Sequence, residues 1–329
     1  MVASWTDGAR RVLGSPAIIA GVFVATLLTA VPLALTLRGL IETHLGASLE
    51  AAAAADAVNY DWWQEFTSQA SGLGTTFTPT VIGFAATLDS ISSVLDAQAE
   101  IVPVAAALAT YLLVWIFLSG GIIDRYARQR PTRAHGFFAA SGVFFWRFVR
   151  LAVVAGAVYW FLFTSLHGWL FTDLYARLIG GLAVEREAFA WRVALYLVFG
   201  LVVITANVIF DYAKIRLVVE DRRSAIGALL ASLAFIGRHP GRVAALYGLN
   251  AVVFLGVVAV WAIVAPGAGV VWLGFLGSQI YVLARLGLKL QFIASQTALF
   301  QSSLAHAAYT AAPMPAWPDS PAAEAIGSA

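Results

Sequence analysis

The chain has no cysteine, which excludes disulfides, thiolate metal centres and cysteine nucleophiles. Charge is scarce too. Asp, Glu, Lys and Arg together make up 12% of the 329 residues, about half the usual share of a soluble domain. A soluble globule of this size needs a charged surface to stay dispersed, and this chain does not have one. Catalytic signatures are missing as well: there is no G-x-S-x-G, H-E-x-x-H or G-x-x-x-x-G-K-[ST]. The five histidines, His44, His135, His167, His239 and His306, never fall at i, i+3 or i+4, so no helix-borne metal pair forms. A formal charge of +2 gives no reason to expect a nucleic-acid partner. These absences point to a non-catalytic protein without a cofactor or a metal.

Apolar residues make up 60% of the chain, and they are gathered into six segments. Ser15–Leu37, Ile101–Ile123 and Val243–Ala265 each run 23 residues without a charge, and Leu151–Thr172 runs 22 with His167 as its only ionisable group. Val193–Phe210 and Ala268–Ala284 are shorter, at 18 and 17 residues, and the last is extended to residue 287 past a snorkelling Arg285. A helix rises about 1.5 Å per residue, so about 20 residues cross a hydrocarbon core of about 30 Å. The expected fold is an all-α polytopic membrane bundle of six transmembrane helices with two further helices in the cytoplasmic interface. The 23-residue run of segment 1 exceeds the apolar core of a signal peptide, so it is expected to stay as an anchor.

Lys and Arg set the orientation. Sixteen of the twenty fall on one side of this six-span scheme: Arg10 and Arg11, the loops holding Arg125–Arg150 and Lys214–Arg242, and Arg285 with Lys289. Only Arg38, Arg177, Arg186 and Arg192 fall on the other. The first side is therefore expected to be cytoplasmic, with both termini on it. Trp169, Trp191, Trp261 and Trp272 lie near the expected outer ends, where amphipathic rings favour the interface. Pro266–Gly267 reads as a tight outer turn.

Residues 38–100 form an extracytoplasmic cap with eight acidic residues. Ala51–Ala55 favours helix, Gly72–Thr80 breaks it, and Val81–Leu95 restores it. Trp62 and Trp63, with Phe66 nearby, read as an interfacial anchor. Residues 302–329, rich in Ala, Pro and Ser, read as a disordered tail. Residues 132–148 and 222–238 each hold an apolar run too short to cross, ended by Arg147 and Arg150 or by Arg238 and Arg242. Both are expected to be interfacial helices, giving a parallel repeat of inward span, interfacial helix and outward span.

Leu217-Val218-Val219-Glu220-Asp221, the Ala-rich run 225–236 and Gly237-Arg238-His239-Pro240-Gly241-Arg242 resemble the cytoplasmic segment of poorly characterised bacterial multi-span proteins. Among these is the membrane domain attached to some glycerophosphodiester phosphodiesterases. The resemblance covers about 40 residues and implies a bacterial inner membrane. The phosphodiesterase domain itself has no counterpart here, so its activity does not carry over.

Polar groups inside a membrane are costly and mark function. Ser278, Arg285, Lys289 and Gln296 share one face of segment 6, with Gln279 beside it. The candidate contacts for lipid or substrate are Gln279, Arg285, Lys289, Arg238 and Arg242, with Arg285 and Lys289 placed to hold a lipid phosphate. Asn207 and Asn250 are expected to bond between helices. Ala17, Gly21 and Ala25, like Ala105 and Ala109, form small-residue stripes that permit close helix contact. Membrane lipids are the expected partners, together with a second copy or another membrane protein. The expected role is organising or handling lipid. The alternatives are a permease for a lipid or small apolar solute, and a headgroup enzyme built on Glu42, His44 or Asp61.

Overall fold

The computed structural model describes residues 1–56, 59–78, 85–99, 101–129, 133–182, 184–264 and 271–311. Among these residues there are eleven helices, one 3-10 turn and no strand. In chain order they are α1 (Val2–Leu13), α2 (Pro16–Leu45), α3 (Ala51–Asp56), α4 (Tyr60–Gln69), α5 (Ala85–Leu95), α6 (Val102–Arg128), α7 (Ala134–Ile179), α8 (Glu185–Val219), α9 (Ala225–Arg238), α10 (Pro240–Val264) and α11 (Val271–Ala311). The 3-10 turn spans Gly72–Thr76. Five helices are long and apolar enough to cross a membrane: α2, α6, α7, α8 and α10. The all-α class is as expected. The sixth expected span is the first part of α11, which is not among those five. Pro266–Gly267 lies outside the described residues.

Several helices are far longer than a bilayer requires. At about 1.5 Å per residue, the 41 residues of α11 reach about 61 Å, and α7 runs 46 residues, with Leu162–Leu166 and Trp169–Leu174 wound as π-helix. Buried residues cluster at Ser119–Asp124 near the end of α6, Phe144–Leu151 in the first half of α7, Val208–Val218 toward the end of α8 and Leu286–Phe300 in the middle of α11. A second, smaller core of Leu170, Leu195 and Phe199 joins α7 to α8.

One expected interfacial helix is corrected. Residues 134–148 are not a separate element but the opening of α7, which runs on through Arg147 and Arg150. Nothing there breaks the helix, and Arg147 is satisfied by Asp221 Oδ1 at 2.5 Å and by the Arg222 carbonyl at 3.2 Å. Thr132, read as the helix start, lies outside the described residues. At the other expected site Ala225–Arg238 do form a separate helix, α9. Its N-cap is Ser224, whose hydroxyl accepts from the Gly227 amide. Pro240 keeps α9 apart from α10, because a residue before proline is driven out of the helical region and His239 sits at φ −131°. The two halves therefore differ where the expected repeat required them to match.

The C-terminal tail is corrected in part. α11 is helical through Ala311, since Ser302-Ser303-Leu304 and the alanines after them contain no breaker before Pro313. Residues 312–329 lie outside the described residues.

α1 was not anticipated. Its Ser4, Gly8 and Val12 are buried at four-residue steps, and this narrow small-residue face lies on α11. A Cβ on Gly8 would meet the backbone of Ser295 at 2.7 Å. Arg11, with a side chain only 7% exposed, ties three helices together. It donates to Asp7 at 2.6 Å, to the Tyr126 carbonyl of α6 at 2.8 Å and to Gln301 Oε1 of α11 at 2.7 Å.

Trp62 is corrected as well. It is buried rather than interfacial, stacked on Phe66 at 5.5 Å with the rings of His44 and Phe77 around it. This cluster is a small core for α4, whose N-cap Asn59 accepts from the Trp62 amide. The C-terminal end of α5 is pinned to the bundle, with the Tyr196 hydroxyl donating to Asp96 and His167 Nε2 meeting the Leu95 carbonyl.

Candidate functional site

α8 is the element that reorganises the sequence reading. Hydropathy ends its apolar run at Phe210, but the helix continues to Val219 because no glycine or proline interrupts it. It ends where Asp221 adopts φ +49°. Asn207, Asp211 and Lys214 are therefore successive positions on one helical face, at four- and three-residue steps. That stripe could have been read from the sequence; assigning Asp211 to a loop hid it.

The stripe borders a cavity of about 770 Å³. α11 supplies Arg285 and Lys289, α6 supplies Tyr111 and Trp115, α10 supplies Tyr247 and Phe254, and α2 supplies Thr26. Leu286, Phe292 and Ile293 complete an apolar wall. Asp211 is the one carboxylate among the lining residues. It takes the ammonium of Lys214 at 2.6 Å and lies 3.5 Å from the Asn207 amide nitrogen, which also donates to the Tyr247 hydroxyl.

With Lys214 neutralised, Arg285 and Lys289 remain. Neither forms an ion pair among the described residues. Lys289 Nζ sits 3.7 Å from the centre of the Trp115 ring and 5.0 Å from that of Tyr111, and it donates to the Tyr111 hydroxyl at 3.2 Å. Aromatic faces attract a cation through the ring quadrupole without cancelling its charge, so Lys289 is positioned yet uncompensated. The Arg285 guanidinium lies over Tyr281 at 5.6 Å. Tyr281 in turn stacks on Trp261 at 5.0 Å and meets the Thr87 hydroxyl of α5 at 3.1 Å.

The five expected site residues divide. Arg285 and Lys289 come together on the cavity wall. Gln279 lies off it on the same helix. Arg238 and Arg242 are exposed around the α9–α10 corner, away from the cavity. The residues proposed for a headgroup enzyme do not converge: Glu42 pairs with Arg38 at 2.7 Å, His44 packs on Trp62 and Phe66, and Asp61 is exposed in the first turn of α4. Among the described residues no cluster of three or more His, Asp or Glu is placed to hold a metal ion. Asn250 bonds between helices as expected. It accepts from Trp5 Nε1 of α1 at 3.0 Å and donates to Ser295 Oγ of α11 at 3.0 Å.

Fold and site together define a multi-pass, all-α membrane protein with a half-open, cation-lined cavity between its helices. Comparison with protein-family models, curated proteins and solved structures finds no match to the chain.

Proposed function

We propose that this is a non-catalytic, lipid-interacting membrane protein whose cavity holds the acidic headgroup of an amphiphile. The observation that carries the reading is Lys289, an ammonium kept unpaired against Trp115 and Tyr111 beside the unpaired Arg285. A guanidinium and an ammonium together match the oxygens of a phosphate, and the adjoining Leu286, Phe292 and Ile293 suit the chain that follows it. Near anionic lipid each basic residue contributes about 1 kcal/mol. The double variant Arg285→Gln, Lys289→Gln is therefore expected to bind phosphatidylglycerol about thirtyfold more weakly. Native mass spectrometry of delipidated protein titrated with that lipid measures this. Equal retention of phosphatidylcholine, or no change in the double variant, would overturn the reading.

The Tyr281–Thr87 contact favours a second reading, carriage of the same amphiphile. Through that contact α5 meets α11 one helical turn from Arg285. Movement of fluorescent phosphatidylglycerol between leaflets of reconstituted vesicles, absent in the double variant, would establish carriage.

The proposal places the protein in a bacterial inner membrane with both termini cytoplasmic, on the arginine distribution. A chain without cysteine makes labelling clean. Ser68→Cys is expected to react with a membrane-impermeant maleimide on spheroplasts, and Ser302→Cys only after lysis. The reverse pattern would invert the topology.

A further inference from the structure

We propose that a second lipid site, outside the central cavity and independent of its reading, takes one acidic phospholipid at the start of α2. The phosphate sits at the helix N-terminus, and an acyl chain runs along the cleft between α2, α6 and the opening of α7.

The cleft encloses about 790 Å³. Its walls are hydrocarbon, with Val22 and Leu28 on one side and Val114, Phe117 and Phe138 on the other. Among the described residues the only polar side chains lining it are Ser15 and Arg125, and both stand at the same end, where Arg125 reaches over the Gly14 carbonyl at 3.4 Å. Ser15 is 5% exposed, and its hydroxyl has no hydrogen-bond partner among the described residues. A buried hydroxyl without a partner is costly. This one occupies the N-cap position of a 30-residue helix without capping it. Pro16 has no N–H and the Ile18 amide donates to the Ser15 carbonyl at 3.0 Å, which leaves the Ala17 amide at the positive end of the helix dipole, where an anion is favoured. Arg125 forms no ion pair among the described residues. Three independent donors thus face one end of a hydrocarbon slot, which is the distribution of polarity in a phospholipid.

The dimensions agree. Ser15 to Leu28 is about 20 Å along the helix, enough to follow a chain through one leaflet, half of a core of about 30 Å. The small residues Ala17, Gly21 and Ala25 do not close a helix contact. They line this slot, and Gly21 has open space where a side chain would stand.

The test uses purified full-length protein in phosphatidylcholine nanodiscs doped with phosphatidylglycerol that carries a diazirine on its acyl chain. Labelling is expected at slot residues that do not reach the central cavity: Ala17, Gly21 and Val24 on α2, Phe117 on α6, and Phe137 and Phe138 at the opening of α7. Ser15→Ala with Arg125→Gln should lower it at least tenfold. Gly21→Leu, which fills the slot without a collision, should do the same with the headgroup donors intact. Labelling of α11 peptides at the central cavity should persist in both, which reports the fold and separates the two sites. Labelling of the slot residues that is unchanged in both variants would overturn the proposal. So would a diazirine phosphatidylcholine that labels them equally in the unaltered protein.

Discussion

Gly121→Val is expected to stop α6 and α7 from closing on one another. A Cβ at Gly121 would lie 2.5 Å from Ser141 Oγ and 2.8 Å from both the carbonyl oxygen and the ring of Phe137. One at Gly120 would lie 3.0 Å from Phe144 Cβ. The Phe137 carbonyl belongs to a helix and cannot swing aside, so the backbones must part. Overpacking a core costs about 1–3 kcal/mol, and Val adds two methyl groups beyond the colliding atom, so about 3 kcal/mol is expected. Thermal unfolding in detergent should show a drop of several degrees. The matched control, Gly142→Val on the facing helix, has open space and should unfold within a degree of the unaltered protein.

Asn250→Leu is expected to release α1. Asn250 is fully buried, and it holds Trp5 and Ser295 while also donating to the Leu246 carbonyl at 3.1 Å. Leucine fills much the same volume but leaves the Trp5 N–H facing hydrocarbon, while the Ser295 hydroxyl keeps its bond to the Phe292 carbonyl at 3.2 Å. Each buried polar group left unsatisfied costs about 1–3 kcal/mol. α1 has few other buried side chains with which to resist. Amide exchange should therefore quicken over Val2–Leu13 by at least tenfold while the interiors of α8 and α10 hold their protection. Equal protection of α1 in the variant would show that its docking rests on Arg11 and the Gly8–Ser295 approach instead.

Much of this architecture could be read from the sequence, because lipid as a solvent writes a simple code. Uncharged runs of about 20 residues mark spans, and α2, α6 and α10 begin or end near the expected limits. Ser224 as a helix start and the cap helices at 51–56 and 85–95 followed from capping and propensity. What hydropathy could not show is helix that continues past its apolar run. α7, α8 and α11 overrun their apolar segments because no residue stops them, and their polar extensions are paired inside the bundle rather than solvated. The site was half legible for that reason. Arg285 and Lys289 stood out as cations on an apolar helix. Asp211 and Lys214 fell past the end of a hydropathy run and were taken for loop. α1 was illegible because its buried face is Ser4, Gly8 and Val12, of which only Val12 is hydrophobic; their four-residue spacing alone marks it.

α11 has a consequence that reaches past either lipid site. One uninterrupted helix carries Tyr281 beneath α5, Arg285 and Lys289 on the cavity wall, and Ser295 and Gln301 against α1 and α6. A rod this stiff turns as a unit, so a tilt begun by a ligand at Lys289 swings both tips in opposite directions. α5 and α1 thus pack against different parts of one helix, and a tilt of that helix would be felt at both.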